Sequence, residues 1–380
     1  MRRVLCVVVV LAVAALAGAT ARGVAQAQAG TLRAGIGLAD LTPPVGTPMF
    51  AYTAREAVVS GVAPFLDQET FDTNFFAKTF LATVGVHTRV RARAIVLEQG
   101  GTKVALVQVD LGGLPYELHQ AVVQRIESTG IDRDHLLLSA THSHGSVGPI
   151  WPLTHSGYQI LGGDLLDPRV FGLVADRIAA AVLDADATLA PARAAVVRRD
   201  VLDATRNRNL GPHLRNTDEA HGGRDDDLPH SIPAELTVLR VDRADGRPLG
   251  VWSAFGIHGT SFGADMLHFT GDNQAWSERL VEDGLRARAG LGPDDLVVHA
   301  QANGAEGDVS PRGASLRLGE MPGAAPPIGG DADLDLHHPG GAFSSAELAG
   351  TRVAGAVLAA WDDAGPLLRD DLALAARFAL

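Results

Sequence analysis

The chain has 380 residues, 46% of them hydrophobic and 20% charged, with 43 glycines and 20 prolines. This globular composition excludes a disordered polymer, a collagen-like repeat and a coiled coil. Its 32 basic residues against 44 acidic ones leave a net charge of −12, which argues against a sequence-independent nucleic-acid binder, a class that needs surplus cations to meet phosphates.

Arg2 and Arg3 precede an apolar run from Val4 to Ala17. The run falls short of the about 20 residues that a spanning helix needs. Two Ala-x-Ala sites follow, Ala25-Gln26-Ala27 and Ala27-Gln28-Ala29. Residues 1–29 are therefore expected to be a secretory signal peptide rather than a membrane anchor, and the mature chain to be secreted or periplasmic. Cys6, the only cysteine, lies within that leader. The mature chain is expected to hold together by core packing, without disulfides.

The elements alternate along the rest of the chain. Leu32–Leu38 reads as a strand. Val90–Leu97 and Val104–Val109 read as a hairpin around Gly100-Gly101. Pro115–Ser128 carries Leu118, Val122 and Ile126 at helical spacing. His135–Ala140 is a buried-looking strand, and Asp167–Ala185 a helix with Asp167 as N-cap before Pro168. Glu235–Val241 and Leu249–Ile257 form a second hairpin across Ala244-Asp245-Gly246. Asp272–Ala287 is a predicted helix, Leu296–Ala300 a strand, Ser345–Trp361 a helix and Leu372–Phe378 a last strand. Hairpins interrupting an alternation predict an α/β fold with a mixed β-sheet core, flanking helices and long loops. Residues 30–380 are expected to form one large domain. Thr217–Pro229 and Gly313–Gly341 read as long loops, either covers over a site or solvated insertions.

Four segments carry chemistry. Thr141-His142-Ser143-His144-Gly145-Ser146 follows a strand, and side chains at i and i+2 share a face of extended chain. His142 and His144 could both ligate a metal, or one could ligate while the other moves protons. On spacing alone, two polar strand-end residues explain the pair equally well. Phe255-Gly256-Ile257-His258-Gly259-Thr260-Ser261 repeats the design, and two such sites make a shared metal more plausible. Just downstream, Asp272 reads as a helix N-cap. Gln301 to Arg312 holds Gly307-Asp308-Val309-Ser310-Pro311, where Ser310 is either a nucleophile beside a histidine or a turn brace before Pro311. Thr205-Arg206-Asn207-Arg208-Asn209 is a polar loop that could clamp an oxyanion or simply be solvated.

Taken in order, these segments resemble the neutral/alkaline non-lysosomal ceramidases. That family opens on a segment similar to Ala34–Pro44. It carries a T-H-T-H-S-G-P motif, matched by Thr141, His142, His144 and Gly145 with Ser143 for the second Thr. Its Asn/Arg/Ser loop is similar to Arg206–Asn216, and its H-G-T-S segment with a later Asp-Asn matches His258–Ser261 and Asp272-Asn273. Its G-D-V-S-P-N matches Gly307–Pro311, with Arg312 for the final Asn. The resemblance implies a Zn2+-dependent hydrolase that splits the amide of ceramide, or a related lipid amide, into sphingosine and fatty acid. It implies that His142 and His258 ligate zinc and that His144 beside them moves a proton or contacts substrate. It also implies that Arg208 stabilises the oxyanion and that Ser310 serves as nucleophile or scaffold. The family's further zinc ligands, a Glu and a Tyr from a later segment, find no match before Leu380. Asp110 is one substitute, though it reads more simply as a strand-end polar residue; Glu347 sits in a helical pattern. Two other readings follow: a truncated or non-catalytic relative acting as a binding protein, and a metal-independent serine hydrolase using Ser310. The partner expected is a small lipid amide, with no nucleic acid, no transmembrane segment in the mature chain, and membrane contact only of a peripheral kind.

Overall fold

A computed structural model of the chain describes residues 31–50, 83–152, 166–213, 231–263, 266–311 and 341–376. The leader, the 217–229 stretch, Arg312 and all of the 313–341 stretch but Gly341 lie outside the described residues.

The strands are β1 (Arg33–Asp40), β2 (Gly85–Val86), β3 (Arg91–Gln99), β4 (Thr102–Val109), β5 (Leu136–Ala140), β6 (Ala190–Asp200), β7 (Thr205–Asn207), β8 (Glu235–Arg243), β9 (Pro248–Phe255), β10 (His268–Phe269), β11 (Val298–Asn303) and β12 (Val309–Pro311). The helices are α1 (Tyr116–Arg125), α2 (Pro168–Ala187), a single turn α3 (Leu210–His213), α4 (Asp272–Ala289) and α5 (Gly341–Ala364). Eight strands form one sheet in the order β11-β9-β8-β6-β1-β3-β4-β5. The β4–β5 and β9–β11 pairs are parallel and the others antiparallel, so the sheet is mixed, as the hairpin-interrupted alternation predicts. The β3–β4 hairpin turns on Gly100 and Gly101 at φ 58° and 82°, a two-residue turn whose positive φ angles glycine tolerates.

Helices cover one face of each half-sheet. Val174, Ile178 and Val182 of α2 pack with Ala94, Val96, Ala105 and Val107. Val281 and Leu285 of α4 and Val353 and Val357 of α5 pack with Val238, Val251 and Phe255. A third cluster, including Ile36, Ile95, Leu97, Leu106, Leu239 and Val298, fills the opposite face. The halves are joined by only two residue pairs, Arg33 with Pro191 and Ala34 with Ala190. That narrow junction lets the sheet roll, and β11 lies against β3, β4 and β5 although it is the far edge in strand order.

Four expectations are corrected. Residues 190–200 form the long strand β6, which the apolar pattern does not predict, because Pro191 and four buried or half-buried alanines mask its alternation. The predicted strand Leu372–Phe378 does not form over its described residues. The chain there wedges between β1 and β6, with Asp370 O accepting from Leu32 N and Arg369 bridging Ala194, and Leu372 and Leu374 pack on the inner cluster without a ladder. The polar loop at Thr205–Asn209 begins as β7, antiparallel to β12. The helix from Pro115 ends at Arg125, three residues early, and passes into a short 3-10 turn at Glu127–Thr129. Asp167, by contrast, caps α2 as read, accepting from Arg169 N at 2.9 Å.

Candidate metal centre

The strand ends β5 and β9 deliver two loops to one point. Nε2 of His144 stands 3.3 Å from Nε2 of His142 and 3.2 Å from Nε2 of His258. Among the described residues these three form the one group of His, Cys, Asp or Glu side chains able to hold a metal ion. The sequence reading thus brings its two strand-end sites together.

Backbone packing sets this convergence. His144 N donates to Gly259 O, and Ser143 and Gly259 form an isolated parallel bridge. A Cβ on Gly259 would lie 2.7 Å from Ser143 Cα and 2.8 Å from His142 O, so the second loop needs a glycine where the first crosses it. Ser143 Oγ ties the first loop to Thr270 O at 2.6 Å. His142 has φ 60°, a left-handed conformation that is strained for a residue with a Cβ. Asp272 is the other described non-glycine residue with positive φ, at 56°. It is not the N-cap, a position held by Gly271. Its buried carboxylate accepts instead from Ser261 N and Phe262 N, fixing the chain just beyond His258.

The ring orientations fit a metal. Nδ1 of His142 donates to Gly112 O at 2.5 Å, and Nδ1 of His258 donates to Glu306 O at 3.0 Å. A carbonyl can only accept, so each Nδ1 carries the proton and each Nε2 presents a lone pair to the centre. Nitrogens at about 2.0–2.1 Å from one tetrahedral zinc stand about 3.3–3.4 Å apart, close to the spacing seen here. Three imidazoles are also a known donor set for catalytic zinc. Burial, with the Arg208 guanidinium and then the neighbouring His142 ring adding to it, holds the His258 imidazole well below its ordinary pKa, which keeps it neutral and able to ligate. Phe50 seals one side, edge-on to both His142 and His144 and stacked on Trp151.

The third and fourth segments meet beside this cluster. Pairing of β7 with β12 sets Arg206 opposite Ser310 and Asn207 opposite Val309. Arg208 N donates to Asp308 O, and its guanidinium donates to Gly307 O at 2.6 Å. Ser310 is fully buried, and its Oγ has no hydrogen-bond partner among the described residues, so no imidazole is placed there to activate it. Asp110 is used elsewhere: it lies 3.5 Å from Arg93 and accepts from Arg91 N and Gln108. Glu347 is exposed on α5. Sequence reasoning missed Gln274 and Asn303, whose side chains bind the backbone of both histidine loops.

Comparison with known proteins accords with this geometry. A sequence model described as neutral/alkaline non-lysosomal ceramidase, N-terminal, matches residues 69–357. Neutral ceramidase A of Dictyostelium discoideum is 29% identical over 250 residues, covering 63% of this chain and 33% of that protein. The neutral ceramidase of Pseudomonas aeruginosa is 28% identical over 249 residues, 64% of this chain and 34% of the relative. That of Drosophila melanogaster is 28% identical over 288 residues, 74% and 36%. The chain spans about a third of the length of these relatives. The crystal structure of the Pseudomonas aeruginosa enzyme superposes with a TM-score of 0.67 at 24% identity, covering 91% of this chain and 46% of that one, which shows a shared fold. The chain belongs to the neutral/alkaline non-lysosomal ceramidase family and corresponds to the N-terminal part of its members.

Proposed function

We propose that the protein is a zinc-dependent amidohydrolase acting on ceramide or a related lipid amide. The observation that carries the reading is the convergence of three imidazole Nε2 atoms on one point, with two of the rings locked by Nδ1–carbonyl bonds. His142 and His258 are the residues proposed to hold the ion, with His144 Nε2 at 3.3 and 3.2 Å from their Nε2 atoms. Zinc, when bound, supplies Lewis acidity, which polarises an amide carbonyl and makes a water nucleophile accessible near neutral pH.

The chain's own residues supply the rest. An amide has a poor leaving group, so its nitrogen must gain a proton as the C–N bond breaks. His144, at the centre of the cluster, is the residue proposed to deliver it. Arg208, held beside Gly307 and Asp308 and near enough to His258 to repel its proton, meets negative charge on the carbonyl oxygen. Phe50 and Trp151 exclude water from one flank. The buried Ser310 hydroxyl, without a hydrogen-bond partner among the described residues, favours a scaffold role over a serine nucleophile. Arg2, Arg3 and the Val4–Ala17 run support export of the chain. No helix among the described residues is long and apolar enough to cross a membrane, and contact with a lipid surface is proposed to be peripheral.

The test is zinc per mole of purified protein together with hydrolysis of an N-acyl sphingosine. One zinc in the wild type, lost in His142→Ala and in His258→Ala with activity, is expected. Arg208→Ala should keep the zinc and lose about 10²–10³-fold in kcat. A wild type that hydrolyses the amide without any metal would sink the proposal.

A further inference from the structure

The centre lies on a seam. His142 follows β5, one edge of the rolled sheet, and His258 follows β9, which pairs with the other edge, β11. Apart from the Ser143–Gly259 bridge, no strand pairing joins the two edges among the described residues. Two carboxamides join them instead. Nδ2 of Asn303 donates to Thr141 O and to Ile257 O, both at 2.9 Å. Nε2 of Gln274 donates to the same two oxygens, at 3.1 and 2.9 Å. Thr141 and Ile257 immediately precede His142 and His258.

Each amide nitrogen has two protons and each carbonyl two lone pairs, so the four groups close a ring in which every site is used. One donor per carbonyl would satisfy the burial requirement. The second donor adds geometric definition: the Thr141 and Ile257 oxygens cannot separate without losing bonds to both amides. The amides come from different elements, the first turn of α4 and the end of β11, and Gln274 is only 1% exposed. Asn303 is anchored further, because its Oδ1 accepts from Ile257 N and Gly304 N.

The ring holds the site against local strain, because His142 keeps a left-handed backbone that is costly for a residue with a Cβ. We infer that Gln274 and Asn303 are positioning residues that set the His142–His258 spacing and so pre-organise the centre for a metal ion. The inference rests on the metal reading above. Groups that orient metal ligands are generally worth 10–100-fold in metal affinity, and these two act on the backbone from which both ligands spring.

The test uses Co2+ as probe, titrated into metal-free protein and followed by visible absorption. Gln274→Met keeps the bulk and removes both donors. Asn303→Asp keeps the acceptor for Ile257 N and removes the donors. Thr188→Val, which breaks bonds between α2 and Ile36 far from the seam, controls for general loss of stability. We expect each seam variant to bind Co2+ about 10–100-fold more weakly with an altered absorption band. Thr188→Val should bind as the wild type does even if it melts at a lower temperature. Should Asn303→Asp fail to fold, Gln274→Met and Gln274→Glu decide the matter. Wild-type affinity and spectrum in the folded seam variants would overturn the positioning role and leave the metal reading standing. A wild type that binds no Co2+ would overturn both.

Discussion

His299 shows how one side chain in this core responds to pH. Its imidazole is buried on β11, bonded to Ser253 Oγ at 2.8 Å, and burial, with Arg93 adding to it, lowers its pKa to about 3. An unfolded chain takes up a proton there near pH 6.5, while the folded one refuses it until about pH 3. The unfolded state binds more protons in that window, so the stability from this group is complete above about pH 6.5 and declines as pH falls. Between pH 7 and 5 the decline is about 2 kcal/mol. Urea unfolding at the two pH values should show that loss in the wild type and a smaller one in His299→Gln; equal slopes would refute the assignment. Close by, Arg93 faces three buried carboxyls, Asp110, Glu278 and Glu282. Burial, with Asp110 and Glu282 adding to it and Arg93 opposing it, pushes the Glu278 carboxyl well above its ordinary pKa. The three clustered histidines were legible because short polar motifs ended apolar strands. Gln274 and Asn303 were not, because a carboxamide's importance lies in which distant carbonyls it meets. Asp272 was misread for the same reason: an acid at a helix start signals a cap, yet its partners lie on the His258 loop.

Elements with apolar periodicity were read nearly to their ends, as with α2, β3 and β4. β6 escaped because small residues, which pack without advertising hydrophobicity, fill its buried positions. Small residues are also what brings β1 and α2 together. A Cβ on Gly37 would lie 2.0 Å from Ala181 O, and one on Gly35 the same distance from Ala185 O. The obstacle is helix backbone, which cannot rotate away. Gly37→Ala is therefore expected to destabilise the protein by about 1–3 kcal/mol or more, visible as a lower denaturant midpoint. An unchanged midpoint would mean that α2 sits further from the sheet. Around Leu372 the alternation was genuine and the strand was not, since partial burial on the inner face satisfies the side chains while, among the described residues, the backbone bonds run through Arg369 and Asp370.

The whole molecule is a sheet rolled until its edges nearly meet, with the histidines at the closure. The mixed α/β class followed from local patterns. The roll did not, because it depends on the two-pair junction between β1 and β6, a contact between segments about 160 residues apart. Metal held across the closure should stabilise the whole chain, by about 2.7 kcal/mol when free metal exceeds the dissociation constant 100-fold. A chelator should lower the melting temperature of the wild type and leave His258→Ala unmoved; a shift of equal size in both would place the ion elsewhere.

The strand ends that bring His142 and His258 together also order events in time. The first histidine pair leaves the ribosome early, while its third partner and both amides arrive more than a hundred residues later. Such a long loop is slow to close, and a helix-covered half-sheet can form before it does. A nascent chain that has not yet reached His258 holds two of the three imidazoles and neither Gln274 nor Asn303. Competence to hold an ion is thus a late acquisition of synthesis, and a growing chain in a metal-rich compartment offers no finished trap until its second half has folded onto the first.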